Sequence, residues 1–377
     1  LAALLNDPDP DGPTDTWNSP IGNDRTVYVN GVRATGVVAT SHFLRVLQRE
    51  PDCHDHQVLW ERLAELRSDP ARPVRFAFGK RLTALYALDE SFVTSHLDTL
   101  LPEGEDRETL SQFTAVWEGY LTTRRLHPEL FEALRSKYNH AIDTHKRSVE
   151  DEIEDQGNSE DVESDTESES PLTDLYGDIG PMPTQATYDA RAFEPLCGHL
   201  ACAYAESSID LADDLIQTIL TVEPPDLSVE DPPSANRVFA DTFSDLLANA
   251  GTPESENQYW ERTTAFWTER LEETDDPVPT ALGQYADVLA NAPPTASLDD
   301  VVELLVKTAP VTTDSLCSRR VLEFLATEVE DEGEQAASDA MTVLAALVDY
   351  MDQPYRFTAS DERWTIVTKA AAAGEER

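Results

Sequence analysis

Three features of the chain predict an all-α fold. Apolar residues recur at steps of three, four and seven nearly throughout, prolines and capping residues cut these runs into medium-length segments, and β-type alternation hardly occurs. Successive amphipathic helices joined by short turns, none long enough for a coiled coil, imply antiparallel helical hairpins. These are expected to stack as an irregular HEAT-like solenoid or bundle in two blocks. No strict internal repeat is visible, so solenoid and bundle both stay open.

In chain order, the best strand candidate is Thr26-Val27-Tyr28-Val29. It lacks a nearby pairing partner and reads as the lead-in to a helix from about Asn30 to Glu50. Phe76, Leu82, Leu85, Tyr86 and Leu88 form one apolar stripe, Phe113, Val116, Trp117, Tyr120 and Leu121 a second, and Leu130, Phe131, Leu134, Tyr138 and Ile142 a third. Asp89 and Asp106 stand where N-caps belong, and Pro102, Pro128, Pro253, Pro277 and Pro310 punctuate the intervals. Further on, Trp260, Trp267 and Leu271 share a helical face, Ser297-Leu298-Asp299-Asp300 resembles a capping box, and Met341, Leu344, Val348 and Met351 make a last stripe.

Charge divides the chain. Residues 150–169 hold 11 Asp or Glu among Ser and Thr with hardly an apolar group, too little to offset the entropy of ordering. The expected organisation is therefore a helical block over 1–147, an acidic disordered linker over 148–187 and a strongly acidic helical block over 188–377. Block 1–147 carries 22 acidic and 17 basic residues, a net of -5, whereas residues 170–377 carry 40 and 11, a net of -29.

The whole chain carries 73 acidic and 28 basic residues, only five of the latter lysine. Such a dispersed acidic surface suits molar salt, where a Debye length of roughly 3 Å screens the self-repulsion. A halophilic protein is expected, and nucleic acid is not an expected partner. No run approaches the roughly 18 apolar residues of a membrane span, and no signal-peptide pattern is present, so a cytoplasmic protein without membrane association is expected. The four scattered cysteines fit a reducing interior. The chain begins at Leu1 rather than Met, which reads as a piece of a longer frame.

Motifs that carry chemistry are missing. Gly79-Lys80 lacks the rest of a phosphate-binding loop, and neither a Gly-x-Ser-x-Gly elbow nor a His-Glu-x-x-His helix occurs. Cys53-His54-Asp55-His56 together with Cys197-Gly198-His199 and Cys202 bring together zinc-type ligands, but without a Cys-x-x-Cys pair, and Cys197 and Cys202 point apart on a helix. His42, His96, His127, His140 and His145 have no evident nucleophile beside them. No catalytic residue, cofactor or metal is expected. The candidate binding residues are the cations of the first block, Arg33, Arg75, Lys80, Arg81, Arg124 and Arg125, set against the plain alternative of ion pairs with neighbouring acids.

The order of features over residues 15–145 resembles the helical-repeat C-terminal, or sensor, region of large prokaryotic STAND-type NTPase defence proteins. The resemblance rests on Asp15-Thr16-Trp17-Asn18-Ser19 before Asn30-Gly31-Val32-Arg33-Ala34, then Val74-Arg75-Phe76-Ala77-Phe78-Gly79 with Leu85-Tyr86-Ala87-Leu88-Asp89. It continues in Trp117-Glu118-Gly119-Tyr120-Leu121 and Leu130-Phe131-Glu132-Ala133-Leu134 with Tyr138, and has an echo at Phe266-Trp267-Thr268-Glu269-Arg270. Ala34 stands where those proteins have glycine, and their NTPase part has no counterpart here. What the resemblance implies is a non-catalytic recognition end with a protein partner. A structural scaffold of an unrelated host complex is the alternative, and a hydrolase or nuclease without a familiar motif the third reading.

Overall fold

The computed structural model describes residues 1–8, 31–48, 56–123, 126–158, 185–206, 212–220, 235–273, 324–329 and 334–349, with isolated positions between 288 and 322 and Thr368. All regular structure among them is helical, as expected. The helices are α1 (Ala2–Leu5), α2 (Val32–Leu47), α3 (His56–Leu66), α4 (Arg72–Leu88), α5 (Glu90–Leu100), α6 (Arg107–Leu121), α7 (Pro128–Ala133), α8 (Arg135–Asn158), α9 (Gln185–Ala205), α10 (Ala212–Leu220), α11 (Ala235–Ala248), α12 (Pro253–Glu273) and α13 (Glu334–Asp349). The run Thr26–Val29, the capping box at 297–300 and the acidic stretch 159–184 lie outside the described residues. The acidic residues 150–158 continue α8, and α9 starts at Gln185.

Two compact units are present, one of Leu1–His199 with Asp214–Pro232, the other of Leu200–Asp213 with Pro233–Arg377. In the first, α4 packs on α2 and α6, the helices two before and two after it, as well as on α5. Alternate helices thus lie side by side. The Asp89 side chain accepts from the Phe92 N–H at 2.8 Å and Asp106 from the Thr109 N–H at 3.0 Å, so both expected caps hold the helix starts they precede.

The predicted stripes on α4, α6 and α7–α8 meet in one core, where Phe76, Val116, Trp117, Tyr120, Leu130, Phe131, Tyr138 and Ile142 are buried. Trp117 meets Tyr138 edge to face at 4.8 Å between ring centroids. No side chain separates α4 from α6 at their crossing. A Cβ on Gly79 would lie 1.9 Å from the Val116 carbonyl oxygen, and one on Gly119 would lie 2.3 Å from the Phe76 oxygen. Only glycine permits that approach.

The second unit is built on the C-terminal end of α9 with α11 and α12. Phe239 and Phe266 stack at 5.3 Å, with Phe243 edge-on to Phe266 at 5.4 Å. On α12, Gln258 and Arg262 stand one turn apart and donate to the Ala205 and Tyr204 carbonyls at 2.9 Å each, satisfying acceptors that the end of α9 leaves open. Arg262 also lies 4.2 Å from the centre of the Tyr204 ring.

Candidate functional site

Helix α2 is apolar on two faces. One, through Ala34, Val37, Ser41, Leu44 and Leu47, is buried in the unit. The other, Ala39, His42, Phe43 and Val46, follows the i, i+3, i+4, i+7 spacing of a contact stripe but turns outward. With Val58 and Leu59 of α3 and with Leu1, this second stripe lines an open groove of about 860 Å³. Phe43, Val46 and Val58 are 44%, 58% and 50% exposed, although each is a side chain that burial would stabilise by about 1.5–3 kcal/mol. This cluster of exposed apolar side chains makes the groove the candidate site of the first unit.

Among the described residues that line the groove none is a carboxylate, and His42 is the one ionisable side chain. Arg81 of α4 reaches His42, its Nη2 donating to Nδ1 at 3.5 Å, while its Nε donates to Ser41 Oγ at 2.7 Å and that hydroxyl donates to the Val38 carbonyl at 2.8 Å. The Arg81 charge, then burial, then Arg45 hold His42 below its ordinary value, so the imidazole is neutral at pH 7 and its Nδ1 is free to accept. The result is an apolar trough with two guanidinium groups beside it. Among its described lining residues there is no hydroxyl, thiol or carboxylate to act with that imidazole.

The other sequence candidates sit elsewhere. Arg33 and Arg75 converge on one residue, Asp69. Arg33 grips its carboxylate with Nε at 2.9 Å and Nη2 at 3.2 Å, while Arg75 Nε donates to its main-chain oxygen at 2.8 Å. Arg75 is buried and also donates to the Thr99 and Leu100 carbonyls, at 3.3 Å each, and to Gln112 at 3.0 Å. It ties α4 to the end of α5 and to α6 and presents nothing to a partner. Lys80 is exposed on α4, and Arg124 and Arg125 lie outside the described residues. Of the six, Arg81 borders the groove.

Of the zinc-type candidates, the side chains of Cys197, His199 and Cys202 are described. Residues 53–55 lie outside the described residues, and among the described residues no three His, Cys, Asp or Glu side chains are grouped to hold a metal ion. Cys197 and Cys202 are buried. His199 is engaged through both nitrogens. Nε2 donates to the Thr123 carbonyl at 3.0 Å, and Nδ1 stands 2.6 Å from the Tyr138 hydroxyl, itself 3.3 Å from that of Tyr120.

A carbonyl only accepts, so Nε2 carries the ring proton; burial keeps the imidazole neutral, with its pKa lowered to about 4. Nδ1 therefore accepts from Tyr138, and the Tyr138 oxygen accepts from Tyr120. Unfolded, this histidine binds a proton below about 6.5; folded, only near 4. Stability is thus lost as pH falls between those values. His199→Gln is expected to remove about 2 kcal/mol of the difference in unfolding free energy between pH 7 and pH 5, read by urea titration at both pH values. An unchanged difference would mean that folding does not shift the pKa of the ring.

Sequence reading identified the helix bearing the groove and missed the groove. The signal available was a second apolar stripe on α2, wider than one core face needs. Among the described residues no helix is long and apolar enough to cross a membrane. Comparison of the chain with family models, with curated proteins and with solved structures gives no match.

Proposed function

We propose that this chain is a non-catalytic recognition module that holds a protein partner in the groove between α2 and α3. The observation that carries this reading is the outward stripe Ala39, His42, Phe43 and Val46 facing Val58 and Leu59, with no catalytic constellation among the described residues that line it. Helices stacked on alternate neighbours suit such a role, because they present surface at no cost in chemistry. The resemblance over residues 15–145 supports assigning the module to the sensor end of an antiviral defence system, working in the salt-rich cytoplasm of a halophile.

Val46→Asp tests the groove without touching the core, since that side chain is more than half exposed. Affinity isolation in molar KCl from phage-challenged and unchallenged cells is expected to recover a partner with the wild-type chain under challenge and to lose it with the variant. Recovery of the same host complex in both conditions would point instead to a constitutive scaffold. A partner retained by the variant would remove the groove from the reading.

A further inference from the structure

The walls of the groove and the charges beside it specify what fits. None of the seven described residues that line the groove is a carboxylate. Two described cations stand beside it: Arg81, fixed by its bond to Ser41, and Arg45, exposed in the last turn of α2 and close enough to depress the His42 pKa. Arg45 has no carboxylate partner among the described residues. From Ala39 to Val46 the stripe runs for two turns, or about 10 Å. That length admits the apolar face of one short helix lying along it. Positive charge at this rim favours a ligand that carries carboxylates there.

We infer that the groove takes an amphipathic helix whose apolar face is flanked by carboxylates, its i, i+3, i+4 and i+7 side chains entering between Phe43, Val46 and Val58 and its acids meeting Arg45 and Arg81. The inference rests on the reading of the groove as a protein-recognition surface and names its ligand. A concave apolar trough suits a solid insert such as a helix; a membrane surface would call for a protruding one. His42, neutral beside Arg81, adds no competing charge and extends the wall. The apolar contact supplies most of the affinity and the arginines select the sign of the flanks.

Two peptides of about 15 residues test this, each with leucine at the four contact positions, one with glutamate and one with lysine elsewhere. Their binding is read by fluorescence anisotropy at the lowest KCl concentration at which circular dichroism shows the wild-type chain folded. The glutamate peptide is expected to bind at least about tenfold more tightly than the lysine peptide. Val46→Asp is expected to abolish that binding, and Arg45→Glu, which breaks no internal bond described here, to erase the preference.

Equal binding of the two peptides, or a preference that survives Arg45→Glu, would overturn the charge selection. Binding of neither peptide would overturn the helix as ligand, whether or not Val46→Asp still releases the cellular partner; that second result alone decides the recognition reading. Val46-dependent dimerisation, or Val46-dependent sedimentation with anionic vesicles, in the absence of peptide binding would assign the groove to a second copy or to lipid and end the proposal.

Discussion

Gly79→Ala is expected to destabilise the first unit by about 3 kcal/mol or more, although in an unpacked helix the same exchange stabilises by about 1 kcal/mol. The packing effect wins because the new methyl would stand 1.9 Å from the Val116 oxygen and 2.8 Å from its carbonyl carbon, main-chain atoms that no rotamer change can move aside. Helices α4 and α6 must separate, and the aromatic core beneath them loosens with them. Gly119→Ala attacks the same seam from the other side, 2.3 Å from the Phe76 oxygen. The double variant is therefore expected to cost less than the sum of the two, since helices already pushed apart accommodate the second methyl. Thermal melts followed by circular dichroism should show each single variant lowered by roughly 6–12 °C. Gly251→Ala, where a Cβ meets nothing within 4 Å, serves as the neutral control. A Gly79→Ala melt equal to wild type would mean that the two backbones are not in contact.

Arg75→Met is expected to cost about 3–5 kcal/mol, because it strands buried acceptors that the guanidinium now satisfies. Four acceptors from three separate segments depend on this one side chain: Asp69 before α4, Thr99 and Leu100 at the end of α5, and Gln112 on α6. Burial lowers the Arg75 pKa to about 10, with Asp69 and Glu108 pulling the other way, so the group stays charged at neutral pH and the desolvation penalty is already included in the native state. Arg75→Lys is expected to rescue little, as one ammonium cannot reach acceptors that a planar fork spans. The alternative, in which Arg75 serves a partner surface, predicts the reverse: unchanged urea midpoints for both variants and weakened partner binding.

What sequence makes legible here is whatever is local. The caps at Asp89 and Asp106 act three residues away, and the stripes at Phe113–Leu121 and Leu130–Ile142 repeat within a few turns, so chain spacing alone exposes them. Arg75 was the opposite case. Its charge suggested a surface, yet Gln112 is 37 residues away and Asp69 offers a main-chain oxygen, which no side-chain pattern announces. Gly79 and Gly119 are 40 positions apart, and nothing in either neighbourhood says that they face each other. The groove escaped for a different reason: Phe43 and Val46 look like core residues, and only the packing of α2 reveals that its other face already fills that role.

The glycine seam also sets how the first unit can yield to load. Side chains between helices act as springs, because rotamers shift and absorb small displacements; bare backbone against bare backbone has no such compliance. Displacement of α4 therefore reaches α6 undiminished at that point, as between two links of a rigid rod. Arg81 leaves α4 two residues beyond Gly79 and ends beside the groove. A load applied to this arginine enters α4 two residues from that contact.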